Sequence, residues 1–503
     1  MTQTKYLMRT NILLFILSLF YIPLFSQPDV AAFDRYVEQA AKQWEVPGLA
    51  VAVVKDGKVL MAKGYGVRKL GEQGQVNAQT IYGICSTTKA MTAAAMAILV
   101  DEGKVAWDDP VIKHLPEFQL ADPFVTRTVR VRDLLTHNAG LANADYLWYA
   151  NNLGAKEILR RMQFIPLSYP VRGGYTYQNV MYFAAGEVIA RVSGMPWSAF
   201  VKKRLFEPIG MTNTYPTFAE SQVQSNRSTP HYRVKGSIVP IRDMAVDEVG
   251  AAGSVWSSVE DMSKWMQFVL DSAKVNGKRL LKPETYAEWL KPQTLVPQDQ
   301  FYPTVALTKP TWTTYALGWF QHDYMGKTVH FHTGSMDGTT AIIGLLPSQN
   351  LGVYVLGNLD HAEVRHALMY KAFDYFGNTG ANRDWSTEMK ALYDGIAIRA
   401  DQSRQRLVQQ RVPNTKPNLP LADYAGTYVH PLYGEISVTL VNGALEIKQT
   451  AELTLKLEHW HFDTFRGMSN LFWDDPYTIQ FSLGPNGKVA GMRVGGGEEM
   501  RRR

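Results

Sequence analysis

Apolar residues between Phe33 and Trp44 recur at helical spacing, and then the period falls from 3.6 towards 2. Val46 to Val54 and Lys58 to Gly66 read as two apolar strands joined through Lys55, Asp56 and Gly57, where the Asp-Gly pair is a strong hairpin signal. The run STTKAMTAAAMAILVD, Ser86 to Asp101, consists of strong helix formers and closes near Gly103, and its small alanines predict a central, tightly packed helix. As far as about Trp312, helical stretches such as Gly186 to Val192 and Val259 to Val269 alternate with long loops rich in Pro, Gly and Asn. Short β-type runs then return at Lys327 to His332, Thr339 to Leu346 and Leu351 to Asn358, followed by a helical stretch from His361 to Phe376. Strands at both ends with helices between them predict an α/β (α+β) domain. Its antiparallel sheet is built from N- and C-terminal strands around an inserted helical subdomain.

Farther on, Arg383 to Gln410 is polar, charged and helical in pattern, and VPNTKPNLP, Val412 to Pro420, reads as a stiff extended linker. Alternating runs at Ile436 to Leu440, Leu445 to Gln449, Leu453 to Leu457 and Thr478 to Leu483 are broken by turns at Asn442-Gly443 and Pro485-Asn486-Gly487, which predicts a small antiparallel barrel or sandwich. At the other end, Lys5 and Arg9 precede an apolar run from Ile12 to Phe25 that ends at Ser26, Gln27 and Pro28, the order of a secretory signal cleaved near Ser26. A retained anchor is the alternative, but the run is short for a span of about 20 residues and Pro23 interrupts it. The expected organisation is a signal at 1–26, a main domain at 27–382, a charged helical segment and linker at 383–416, and a β-rich domain at 417–503. The mature chain is expected to be exported, periplasmic or secreted, with no stable membrane anchor.

Composition narrows the function. At 503 residues with 46% hydrophobic and 19% charged positions, the chain can bury a large core and is too long for a single peptide-binding module. Part of the net charge of +6 lies in Arg501 to Arg503 and in the stretch from Arg399 to Lys416, and the other charges are interspersed by sign, so no nucleic-acid partner is expected. Cys85 is the one cysteine, which excludes an intrachain disulfide and a multi-cysteine metal site. His330 and His332, like His459 and His461, form H-x-H pairs without a nearby third ligand, so neither metal nor cofactor is expected. Gly64 and Gly66 lack the third glycine of a dinucleotide loop, since position 69 is Lys69.

Three short motifs can carry chemistry. Ser86 and Lys89 stand three apart at the start of a predicted helix, on one face, where a desolvated lysine can take the hydroxyl proton of a serine nucleophile. A serine cap followed by a surface lysine has the same spacing, but Lys89 precedes an almost wholly apolar helix and has little solvent-facing surface to occupy. Tyr177 and Asn179 form Y-x-N on an extended segment or loop; a phenol beside a lysine can titrate low enough to act as base or acid, and the amide offers both a donor and an acceptor. His332, Thr333 and Gly334 fall at the end of a predicted strand, with a glycine where a substrate backbone can approach closely. Cys85 reads as a buried structural thiol turned about 100° away from Ser86 on the helix.

Taken together, S-x-x-K, Y-x-N and H-T-G resemble the serine β-lactamase and penicillin-binding protein superfamily, in its branch of class C β-lactamases, D-aminopeptidases and related esterases. Longer segments share the likeness, among them VPGLAVAVVKDGKVLMAKGYGV, VRDLLTHNAGL and YQNVMYFAAGEVIARVSG, and the resemblance spans most of Phe33 to Phe376. ADYAGTY, Ala422 to Tyr428, is similar to the small β domain often attached to such hydrolases. The resemblance implies that Ser86 is acylated and Lys89 is its proton partner. Tyr177 would shuttle the proton to the leaving group, and Asn179 would orient the substrate amide and Lys89. The oxyanion would be held by the backbone N–H groups of Ser86 and Ser335, with His332, Thr333 and Gly334 lining the substrate. His332 replaces the lysine of K-T-G, which implies a weaker hold on a substrate carboxylate and, as in the H-x-G of D-aminopeptidases, points to D-amino-acid-containing peptides or amides, or esters. A β-lactamase and a non-turnover receptor for penicillin or peptidoglycan fragments are the alternatives.

Overall fold

The computed structural model describes residues 29–149, 153–450, 453–469 and 476–503. Helix α1 (Val30–Gln43) starts earlier than its apolar spacing suggests because Asp29 caps it, Oδ1 accepting from the Ala31 N–H at 3.0 Å. Strands β1 (Gly48–Lys55) and β2 (Lys58–Gly66) form the expected hairpin, with Asp56 at φ 51° and Gly57 at φ 75°. The chain then leaves the sheet for a helical region that includes α2 (Thr88–Asp101), α3 (Asn179–Ser193) and α4 (Val259–Leu270). It returns through β3 (Thr294–Leu295), β4 (Thr313–Tyr315), β5 (Phe320–Tyr324), β6 (Lys327–Met336), β7 (Thr339–Leu346) and β8 (Leu351–Gly357).

These eight strands form one antiparallel sheet in the order β2-β1-β8-β7-β6-β5-β4-β3, so N- and C-terminal segments meet at the β1–β8 pair, for instance Val51 opposite Val355. Both faces of the central strands are buried, which is why β1, β7 and β8 read as continuous apolar runs. Val51, Val53 and Val355 pack with α1 and α5 (Val364–Phe376), while Ala50, Ala52 and Leu356 pack with α2 and α4. From Thr88 to Leu99, α2 is buried on every side, as its small residues allow.

Helix α6 (Trp385–Gln409) buries Trp385, Ser386 and Met389 in its first turns and leaves most of its length exposed. The extended segment after it is hydrogen-bonded along the second domain, Arg411 Nε donating to the Trp460 carbonyl at 2.8 Å and the Asn418 N–H to Asp463 at 3.0 Å. That domain is a closed barrel of β9 (Gly426–His430), β10 (Gly434–Val441), β11 (Ala444–Lys448), β12 (Thr454–His461), β13 (Thr464–Ser469), β14 (Tyr477–Leu483), β15 (Val489–Val494) and β16 (Met500–Arg502). Between β9 and β10, Leu432 is fully buried in the core of the helical region, and Tyr433 meets Tyr146 edge-on at 4.9 Å. The apolar run from Ile12 to Phe25 lies outside the described residues, among which no helix is long and apolar enough to cross a membrane.

Candidate active site

Ser86 lies in a 3-10 turn, Cys85–Thr87, that feeds directly into α2. Cys85 is therefore not on the helix face proposed for it: it takes a left-handed φ of 51°, with its buried Sγ 3.4 Å from the Gly83 carbonyl oxygen and its thiol pushed up to about 12 by burial. The turn throws Ser86, half-buried, towards the sheet.

One helical turn on, Lys89 is completely buried, and its Nζ has three oxygen neighbours: Ser86 Oγ at 3.1 Å, Asn179 Oδ1 at 2.7 Å and the Ala252 carbonyl at 2.8 Å. An ammonium would donate to all three. A neutral amine would keep the amide and carbonyl as acceptors and turn its lone pair to the serine O–H. Burial pulls Lys89 down to about 7, against the opposing attraction of the Asp145 carboxylate, so both forms are accessible near neutrality.

Asn179 is the first residue of α3, and its amide is oriented from the far side: Nδ2 donates to Asp145 Oδ1 at 2.8 Å. Asp145 also accepts from Trp148 Nε1 at 2.9 Å and Asn143 Nδ2 at 3.1 Å. Tyr177, in the loop before α3, sets its ring 4.8 Å from Lys89 Nζ and 4.3 Å from the ring of His137, whose Nδ1 accepts from the Gln178 N–H at 3.0 Å. Burial raises the Tyr177 phenol well above its ordinary range, with its hydrogen bond to Ser86 working the other way. The expectation of a readily ionised phenol is thus corrected: desolvation favours the protonated form.

The H-T-G motif is not at a strand end. β6 runs on to Met336, paired with β7 throughout, so His332, Thr333, Gly334 and Ser335 lie within the strand. Gly334 backs onto the nucleophile turn so closely that a Cβ there would stand 2.3 Å from the Ile84 carbonyl oxygen and 3.0 Å from the Ser86 nitrogen. Ser335 is exposed beside it. Thr333 is buried, with its hydroxyl on Tyr302.

His332 does not stand where a substrate can reach it. The ring is fully buried, Nδ1 donating to the Thr333 carbonyl at 2.6 Å and Nε2 accepting from the Tyr315 hydroxyl at 3.0 Å. Burial, reinforced by Lys89, holds it down at about 3, so it is a neutral packing residue beneath Tyr177, and the notion that it lines the substrate is corrected.

Three contributors escaped sequence reasoning. Asp145 and His137 lie in segments without periodicity, and only their company with the family-like VRDLLTHNAGL run marked the region. Arg365, buried on α5, pairs with Glu363 at 3.1 Å and donates to the Gly334 carbonyl at 2.5 Å and Ser335 Oγ at 2.8 Å, bracing β6 from behind. Of the histidine pairs, His330 Nδ1 contacts Gln321 at 2.8 Å and His459 contacts the Phe462 carbonyl at 2.9 Å.

A serine and a lysine on one helical turn, an amide and a phenol from a second element, and a strand alongside define a serine acyl-transfer hydrolase of the β-lactamase and penicillin-binding protein type. The Beta-lactamase family model matches residues 33–374, and the chain belongs to that family. A domain of unknown function, DUF3471, matches residues 410–501. The chain is similar to an unguisins hydrolase of Aspergillus violaceofuscus, at 27% identity over 93% of this chain and 88% of that one. Protein flp of Staphylococcus aureus is 26% identical over 65% of this chain and 62% of its own length. Among solved structures, the octameric penicillin-binding protein homologue from Pyrococcus abyssi aligns with TM-score 0.62 and 22% identity, over 94% of this chain and all of that one. SurE with D-Leu aligns with TM-score 0.55 and 21% identity, over 94% and 100%.

Proposed function

We propose that the chain is an exported serine hydrolase that forms an acyl-enzyme on Ser86 and acts on peptides or amides containing D residues, or on esters. The observation that carries this reading is the buried Lys89, held by two acceptors and facing Ser86 Oγ at 3.1 Å with its affinity for a proton lowered to about 7. In its neutral form Lys89 takes the hydroxyl proton as Ser86 Oγ bonds to the scissile carbonyl carbon. The N–H groups of Ser86 and Ser335 receive the oxyanion. Tyr177, protonated at rest, gives its proton to the leaving nitrogen or oxygen as the bond to the carbonyl carbon breaks, and regains one from Lys89. Water then attacks the ester with the same groups in reverse, releasing acid and free Ser86. D residues are supported by the D-Leu bound to SurE and export by the signal-like segment at 1–26.

A fluorophosphonate probe followed by peptide mapping should place the adduct on Ser86, and Ser86→Ala should remove it. Turnover is then compared across D- and L-aminoacyl amides, p-nitrophenyl esters and a chromogenic cephalosporin. A label elsewhere rejects the nucleophile, faster turnover of the cephalosporin rejects the substrate class, and labelling without any turnover favours the receptor.

A further inference from the structure

Tyr177 stands two residues before α3, outside any helix or strand, so its backbone has no regular element to hold it. The amides on either side of it are both taken by His137. The Thr176 N–H donates to the His137 carbonyl at 2.9 Å, and the Gln178 N–H donates to His137 Nδ1 at 3.0 Å. The imidazole nitrogen thus serves where a neighbouring strand would offer its next carbonyl. The same ring lies 4.3 Å from the Tyr177 ring, tilted by 36°.

Two features of His137 oppose folding and need a reason. Its φ is 59°, left-handed backbone that a residue with a Cβ seldom takes, and in this conformation its carbonyl and its ring face one segment. Since Nδ1 accepts, the ring proton lies on Nε2, which is buried and, among the described residues, has no hydrogen-bond partner. Such strain persists where the surrounding structure requires that conformation. With Nδ1 engaged by a backbone amide and Nε2 facing no acceptor, the ring has no group with which to exchange a proton. We propose that His137 is the positioning residue for Tyr177, holding the phenol in line with the leaving atom while taking no proton itself. This rests on the reading of Tyr177 as the donor to the leaving group and adds a selectivity to it. His137 matters for leaving groups that need a proton, amines above all, and little for those that depart as stable anions.

The test uses the full-length protein with leucinamide and leucine p-nitrophenyl ester, which share an acyl group, in the hand that the parent turns over. For both, kcat/KM covers the steps through acylation. His137→Gly removes the ring but suits the left-handed backbone, and it should lower kcat/KM for the amide by about 100-fold, the effect of a displacement of about 1 Å. The ester and a fluorophosphonate, which release nitrophenolate and fluoride unaided, should react near the parent's rates. His137→Asn tolerates the same φ and offers Oδ1 where Nδ1 stood, so it should restore most of the amide rate. In a Tyr177→Phe background, His137→Gly should cost little more, because the two residues act through one proton transfer. Equal losses on amide and ester, no rescue by His137→Asn, or full multiplication of the two losses overturns the assignment. Should His137→Gly fail to fold, His137→Leu fills the space without an acceptor and faces the same comparisons. Should both fail, His137→Asn decides alone: an amide rate near the parent's supports the assignment, and one as low as that of Tyr177→Phe overturns it. A parent without turnover, or a fluorophosphonate adduct elsewhere than Ser86, would instead refute the serine-hydrolase reading.

Discussion

Gly334→Ala puts a methyl group into the tightest contact of the site. A Cβ there would stand 2.3 Å from the Ile84 carbonyl oxygen, 2.9 Å from Cys85 Cβ and 3.0 Å from the Ser86 nitrogen, where ordinary contact begins near 3.4 Å. Two of those three atoms are backbone and the third is bonded to it, so no rotamer change relieves the clash, and β6 must part from the nucleophile turn by about 1 Å. Overpacking of this kind costs about 1 to 3 kcal/mol of stability. A shift of about 1 Å between an oxyanion donor and its nucleophile costs about 100-fold in rate. The control is Gly344→Ala on the neighbouring strand, where the new methyl meets chiefly the flexible Met369 side chain, with Sδ at 2.5 Å. Thermal melting reports stability, and the fluorophosphonate labelling rate, taken well below both midpoints, reports chemistry. Both variants should melt lower, and Gly334→Ala alone should label slowly. Equal labelling rates in the two would mean that the approach of β6 to Ser86 does not set the oxyanion geometry.

Lys89 should set the acidic limb of the rate profile: kcat/KM for a neutral amide should rise through about pH 7, because the amine must be unprotonated to accept the serine proton. A limb that stays near pH 7 in Lys89→Ala would assign it to another group. His332 is held at about 3 and should contribute no inflection between pH 5 and 9, so the ratio of rates for carboxylate-bearing and neutral substrates should be flat across pH 6.5. His332→Lys should cost about 3 to 5 kcal/mol in a melt, since it buries an ammonium near Lys89 with no anion to meet it; an unchanged midpoint would show that the ring position is open to water. Leu432→Ala should cost about 2 to 5 kcal/mol and split one calorimetric transition into two, while a single, undisplaced transition would show that the barrel does not depend on this contact.

Local chemistry written in adjacent residues was legible in the sequence. The Asp56-Gly57 hairpin, the alanine-rich helix and the serine-lysine spacing each depend on neighbours within a turn, and the structure realises them. What the sequence hid is set by distant partners. β4 and β5 are short, and the rings that bury Tyr315 and Phe320, opposite each other on one face, come from distant segments, Phe301, Tyr302, Tyr177 and His137, so nothing local announces these strands. β6 outran its predicted end because pairing with Thr339 to Ala341 on β7 holds it extended through a glycine and a serine that carry no strand signal of their own. The histidine of H-T-G looked like a ligand contact because nothing local announces Tyr315, which lies 17 residues away and satisfies its second nitrogen.

Leu432 comes from a barrel with no free edge, yet fills a hole in a core that belongs to another domain. The two domains therefore share one free-energy account: any molecule that binds either of them in its native form raises the melting point of both. A ligand found for the barrel, even far from Ser86, would be detectable as slower unfolding of the catalytic sheet. Conversely, an acyl group resident on Ser86 would protect the barrel from proteolysis. Such mutual protection offers a way to search for natural ligands of either domain without knowing which reaction to assay.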